Sequence, residues 1–258
     1  MVKRDQLIGF IKKTIGSDLL NKANKVDHRA NGFQVLGNED VSKVVLGVTL
    51  SDDFLKEAVE AEAQFCIFHH GLGLDDYQSI LPSYVQKRLE LIFKNDLTIG
   101  GFHYSLDAHP KIGNNAVIIR ELGADQGEPF FEDWGFVATF KTSKKVDALL
   151  KQCASLFEHD IFAVLAGPKA VTKIGVCSGG AKPFGENAAE LEAKGIELFI
   201  TGEPGEPTPN IVKEMGINYF AGGHYATEVF GVQELGKVLK QEYKDKLEVE
   251  FIDIPNPI

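Results

Sequence analysis

The sequence predicts an α/β fold of two packed lobes, with mainly parallel or mixed sheets flanked by helices. Short, continuous apolar runs rich in β-branched residues recur along the chain, and most are followed by a stretch at helical spacing. Runs of that kind are strands covered on both faces, which is how parallel strands lie beneath helices. The alternation lapses once, over residues 126–170, and that lapse divides the chain.

The chain opens on Leu7, Ile11, Ile15 and Leu19, four apart, so a helix is expected there. Asp5, Lys12 and Lys13 interrupt any leader-like apolar core. Strand-like runs at 44–50, 65–68 and 97–99 are then followed by helical patterns at 53–63, 82–95 and 115–122. In the irregular stretch Phe130, Phe131, Trp134, Phe136 and Phe140 crowd around Asp125, Gly127 and Pro129. They read as the core of a second lobe that begins with antiparallel strands. The rhythm returns with runs at 174–177, 198–201 and 218–221, followed by helices at 186–194, 209–215 and 227–242. The expected lobes are 1–125 plus 222–258, carrying the metal ligands, and 126–221.

Composition narrows the function. In 258 residues, 44% are hydrophobic and 25% charged, values of an ordinary globular chain. Lys and Arg number 27 against 37 Asp and Glu, a formal charge of −10, which disfavours nucleic acid and anionic membrane as partners. No apolar run approaches the ~18 residues of a membrane span. Three scattered cysteines, Cys66, Cys153 and Cys177, make neither a disulfide framework nor a Cys-x-x-Cys metal site. A reducing, cytoplasmic location is expected.

In α/β sheets ligands bind beyond the carboxyl ends of strands, and four of the seven histidines fall there. Phe65-Cys66-Ile67-Phe68 runs into His69-His70-Gly71, where a loosened strand end lets two imidazoles turn toward one place. The plainer alternative is one core and one surface histidine. A second strand leads into His103-Tyr104-Ser105-Leu106-Asp107-Ala108-His109-Pro110, in which Asp107 is either a ligand or a turn residue. In the third, Tyr219-Phe220-Ala221-Gly222-Gly223 precedes a helix carrying His224 and Glu228, four apart and therefore on one face.

Three imidazoles and two carboxylates suit Zn, Fe, Mn, Co or Ni. Five ligands exceed one catalytic ion and match two ions sharing a bridging carboxylate, for which Glu228 is the choice. His69, His70, Asp107 and His224 would be terminal ligands. His103 is a candidate proton relay. His109 reads as a loop residue, and His28 and His159 as surface or packing residues. Ser178-Gly179-Gly180 follows a strand and precedes a helix, so its amides could cradle an anionic substrate. A tight turn is the alternative there. Glu203, beyond the 198–201 strand, would contact substrate or cap the next helix. No P-loop, Gly-x-Ser-x-Gly or dinucleotide fingerprint occurs.

Gly222-Gly223-His224-Tyr225-Ala226-Thr227-Glu228, His69-His70-Gly71 and Ser105-Leu106-Asp107-Ala108-His109-Pro110 together resemble the Nif-three-like dinuclear-metal family, known as GTP cyclohydrolase I type 2 homologues. Asn31-Gly32-Phe33-Gln34-Val35, Gly47-Val48-Thr49, Gly113-Asn114-Asn115 and Ile200-Thr201-Gly202-Glu203 match as well. The tail Phe251-Ile252-Asp253-Ile254-Pro255-Asn256-Pro257 is similar to the family's short bacterial branch. The resemblance implies metal ligation by His69, His70, Asp107, His224 and Glu228, the same five residues. It also implies a ring-shaped homohexamer with metals facing the opening, and hydrolysis of GTP at C8 with release of formate. A metal-dependent phosphoesterase and a non-catalytic metal-delivery protein are the alternative readings. After Gly71 the chain reads Leu72-Gly73-Leu74-Asp75-Asp76, acidic and small where close relatives carry aromatic and basic residues.

Overall fold

Parallel strands bring their carboxyl ends to one edge, and each of two sheets is built on such a parallel centre. The computed structural model describes residues 1–74 and 80–258, so Asp75 and Asp76 lie outside the described residues. The chain divides into two units, Met1–Leu106 with Gly231–Ile254, and Asp107–Phe230 with Pro255–Ile258.

The first unit runs through β1 (Val2–Lys3), α1 (Arg4–Ile15), α2 (Ser17–Val26), β2 (Asn31–Val35), β3 (Asp40–Val41), β4 (Lys43–Thr49), α3 (Asp52–Glu60), β5 (Phe65–His70), α4 (Ser83–Lys94) and β6 (Thr98–Phe102). The short helix α5 (Tyr104–Asp107) leads on to α6 (Asn114–Leu122), β7 (Asp125–Phe130), β8 (Gly135–Lys145), α7 (Val146–Phe157), β9 (Phe162–Leu165) and β10 (Ala170–Val176). Then come α8 (Glu186–Ala193), β11 (Leu198–Thr201), α9 (Thr208–Met215), β12 (Asn218–Ala221), α10 (His224–Tyr243) and β13 (Glu248–Phe251).

In the first unit five strands form a sheet in the order β13-β4-β5-β6-β2. The first four are mutually parallel and β2 is antiparallel to β6. The expected first helix breaks at Gly16, whose φ of 96° suits glycine. Leu7, Ile11 and Ile15 are buried as the spacing predicts, but the break resets the phase and Leu20, not Leu19, continues the buried face. Ser51 caps α3, its Oγ accepting from Phe54 N–H at 3.1 Å.

The second unit has six strands in the order β7-β8-β10-β11-β12-β9, parallel at β10-β11-β12 and antiparallel at the flanks. The aromatic stretch is core, as expected. Phe136, Ala138 and Phe140 alternate onto one face with α6 and α7 residues, while Val137 turns to the other with Phe130, Phe131, Phe199 and Tyr219.

The division of the chain differs from the expected one. Val117, Ile118, Ile119 and Leu122 of α6 pack in one cluster with Phe136, Phe140 and Ile174, as do Ala226 and Phe230 of α10. Residues 107–125 and 222–230 therefore belong to the second unit. The expected first lobe does not hold all five candidate ligands: His69 and His70 lie in the first unit, and Asp107, His224 and Glu228 in the second.

Candidate metal centre

In the first unit the carboxyl ends of β4, β5 and β6 carry Thr49, His70 and His103 side by side. Thr49 and His70 are register partners. His69 is fully buried and its Nδ1 donates to the Phe102 carbonyl at 3.0 Å. His70 Nδ1 lies 3.2 Å from Thr49 Oγ1. His103 Nδ1 donates to the buried Asp27 carboxylate at 2.9 and 3.0 Å, and the Tyr104 amide donates to the same group at 3.1 Å. With each Nδ1 engaged, Nε2 is the atom left for a ligand, and a tether at the other ring nitrogen is the usual support of a metal-binding histidine.

The three rings gather, with centroids 4.8, 5.0 and 5.3 Å apart, and each offers a nitrogen within 4.8 Å of the others. Burial pushes the Asp27 carboxyl up, but His103, with the Arg29 amide and Asn31, together outweigh burial and hold it below its ordinary value. Gly71 is required here for close approach, not for an unusual φ: a Cβ would collide with Gln34 Oε1 and come within 3.0 Å of the Gly101 backbone. Gln34 in turn bonds the backbone of Leu72 in both directions, at 2.6 and 2.8 Å.

The second unit holds the other candidate ligands. Asp107 Oδ1 accepts from Asn114 Nδ2 at 2.8 Å and from Ser178 Oγ at 2.9 Å. Asn115 accepts from the Ser178 amide at 2.7 Å and donates to the Trp134 carbonyl at 2.7 Å, which fixes this loop. His224, in the first turn of α10, donates Nδ1–H to Glu203 Oε1 and sets Nε2 3.2 Å from Glu228 Oε1. Lys182 Nζ holds the other Glu203 oxygen at 2.9 Å.

Burial alone would lower His224, but Glu228 and Glu203 outweigh it and raise its pKa to about 9. Burial raises the Glu203 carboxyl, and its bonds to His224 and Lys182 bring it below its ordinary value. A position between two carboxylates demands positive charge, which a proton or a metal ion can supply. The donor set therefore fits a divalent ion on its chemistry.

The predicted substrate cradle is differently employed. The Ser178 hydroxyl and amide are committed to Asp107 and Asn115, and the Gly179 amide donates to Thr227 Oγ1 at 3.0 Å. The Gly180 amide alone of the three makes no hydrogen bond among the described residues. Gly179 has φ 65°, and a Cβ on it would strike Glu228 Oε1 and lie 3.2 Å from His224 Nε2. Glu203 orients His224 rather than capping α9. His109 is a loop residue, its Nδ1 accepting from the amides of Lys111 and Ile112 at 3.2 Å. Burial pushes the thiols of Cys66 and Cys153 up to about 12, and Cys177 well above its ordinary value with Asp107 and Glu228 adding to the effect. Sequence reasoning missed Asp27, Thr49, Asn114 and Asn115, of which only Gly113-Asn114-Asn115 and Gly47-Val48-Thr49 left any signal, as family matches. Among the described residues no helix is long and apolar enough to cross a membrane.

The sequence pattern of the Duf34/NIF3 (NGG1p interacting factor 3) family matches residues 3–257. A curated protein of Salmonella typhimurium named GTP cyclohydrolase 1 type 2 homolog is 36% identical over 244 residues, 93% of this chain and 96% of its own length. One of the same name from Haemophilus influenzae is 32% identical, covering 98% of both chains. Of solved structures, protein ybgI, described as of unknown function, superposes with a TM-score of 0.88 at 33% identity over 100% of both chains. TTHA1606 from Thermus thermophilus does so with 0.83 at 27% identity, also over 100% of both.

Proposed function

This chain belongs to the Duf34/NIF3 family, and on that premise we propose that it is a divalent-metal-dependent hydrolase. His69, His70, Asp107, His224 and Glu228 would hold two ions, with Glu228 as the shared carboxylate. The observation that carries the reading is that His69, His70 and His224 each commit Nδ1 to a Phe102, Thr49 or Glu203 partner, which makes Nε2 the ligating nitrogen, and that His224 sets its Nε2 3.2 Å from Glu228 Oε1. Such nitrogen and oxygen donors suit Zn, Fe, Mn, Co or Ni. When bound, these ions supply Lewis acidity, polarising a substrate oxygen and acidifying water.

The chain's own groups do the rest. His103, oriented by Asp27, takes up and returns a proton at Nε2. Asn114 and Ser178 hold the Asp107 carboxylate in one rotamer. The Gly180 amide and the Lys182 ammonium are donors for an anionic substrate. The relatives' name supplies the substrate class: a guanine nucleotide, attacked by water at C8, with ring opening and release of formate by a second water. The ring-shaped homohexamer belongs to the same proposal, and the mass in solution tests it.

The decisive experiment incubates protein reconstituted with each metal in turn with GTP and measures formate. Repeated turnover abolished by a chelator is the expected result. No formate with any of the metals overturns the cyclohydrolase reading. Chelator-sensitive cleavage of an aryl phosphate in its place would indicate a phosphoesterase, and metal transfer to an apo-protein without turnover a delivery protein.

A further inference from the structure

The chain is acidic overall, yet one cavity of the second unit has the opposite sign. It measures about 580 Å³ and is lined by Lys111, Arg120, Lys141 and Lys144, with Asp125 as its carboxylate. Four cations and one anion leave a local excess of three positive charges against −10 for the whole chain. Arg120 Nε pairs with Glu121 at 3.3 Å, whereas Lys111, Lys141 and Lys144 form no ion pair among the described residues.

The backbone builds this cavity deliberately. Helix α6 stops at Gly123, whose left-handed φ of 75° turns the chain sharply into β7. Strand β7 pairs with β8 only as far as Asp125 opposite Thr139. Beyond that point β8 bulges: it advances from Thr139 to Lys144 while β10 advances only from Lys173 to Val171. The bulged stretch carries Lys141 and Thr142 past the end of β7 to the cavity wall, and bulges of this kind re-aim side chains beside sites.

We infer that this cavity binds the di- or triphosphate group of a small molecule. Its volume falls in the usual range for small-ligand sites, about 300–1,000 Å³. Lysine ammonium groups recognise phosphate oxygens as point charges, and the Thr142 hydroxyl adds a neutral donor. The apolar lining comes from Pro110, Ala116, Ile119 and Ala124, none of which offers an aromatic face for a base to stack on. Recognition is therefore of the phosphates, whatever nucleoside they carry, and inorganic tripolyphosphate shares the chemistry. A long nucleic acid would meet the protein's net negative charge outside the cavity. None of the lining residues is a candidate metal ligand, so the inference stands apart from the hydrolase proposal.

Calorimetric titration of the chelator-treated full chain at ~0.15 M salt with tripolyphosphate, GTP and CTP tests it. One site per chain and similar affinities for all three are expected. K141E/K144E should weaken each by more than about tenfold, the size supported by two exposed charge contacts. Its melting temperature should hold, because both side chains are exposed. If that variant fails to fold, Lys144→Gln with Lys111→Gln takes its place. Glu228→Gln should bind like the wild type, which separates this cavity from the metal residues. Absence of tripolyphosphate binding, wild-type affinity in the lysine variants, or loss of binding in Glu228→Gln would overturn the inference. Preference for one base by more than about tenfold would overturn the phosphate-only recognition, and tighter binding of a single-stranded oligonucleotide the small-molecule class.

Discussion

Among the described residues the first unit steadies His69 with a carbonyl, His70 with a hydroxyl and His103 with the Asp27 carboxylate. The second unit surrounds one imidazole with charge: His224 lies between Glu203 and Glu228, and Asp107 is held by Asn114 and Ser178. The first set is thus rich in nitrogen donors. The second is rich in carboxylate and draws a proton onto His224 up to about pH 9. Protons and metal therefore compete for the second set.

Glu228→Gln should separate the two sets most sharply. It removes the buried anion of the second, and metal affinity should fall by more than about 100-fold, beyond the loss usual for a supporting residue. Elemental analysis after gel filtration reads this directly. Retention of two ions per chain would show that Glu228 is no ligand.

The charge on His224 should also appear in the chelator-treated protein as a pH-dependent stability. Its folded pKa is raised from 6.5 to about 9, so the contribution is fully present below the unfolded value. It is lost as pH rises through about 9, and amounts to about 3 kcal/mol across that window. Urea denaturation at a series of pH values would measure it. Glu203→Gln should flatten that slope and weaken metal binding about 10–100-fold, as expected for a residue that orients a ligand.

In the first unit Asp27→Asn should cost about tenfold in turnover, because it blurs the tautomer of His103 without removing a ligand. The pH–rate profile should shift with it, and an unchanged profile would deny His103 its proton-relay role. Thr49→Val, the mildest change, removes one exposed hydrogen bond from His70 and should weaken metal binding less than about fivefold, measured by chelator competition.

What was legible in the sequence was the local pattern. The runs at 198–201 and 218–221 match β11 and β12 to the residue, because continuous apolar stretches between polar ends leave few other choices. Helix α7 was hidden, although Val146, Leu149, Cys153 and Phe157 carry its buried stripe, because it lies in the stretch 126–170 where the alternation lapses. Nothing in α6 itself says which sheet it covers, so the expected boundary ran past Asp107 to residue 125. Among the site residues, position at a strand's carboxyl end was enough to pick out His69, His70 and His103. Asp27, 76 residues from His103 in the chain, came from no motif. The amides of Ser178 and Gly179 looked available only because their partners, Asn115 and Thr227, lie 63 and 48 residues away.

The three cysteines have a consequence of their own. Cys66, Cys153 and Cys177 are at most 5% exposed, and burial keeps their thiols protonated. The thiolate is the form that peroxide and disulfides attack. None of the donors proposed for the metal is sulfur, and no cysteine presents a reactive sulfur beside them. Oxidative stress could then silence such a centre only by changing the valence of the ion or displacing it, and alkylating reagents applied to the folded protein should leave its metal content untouched.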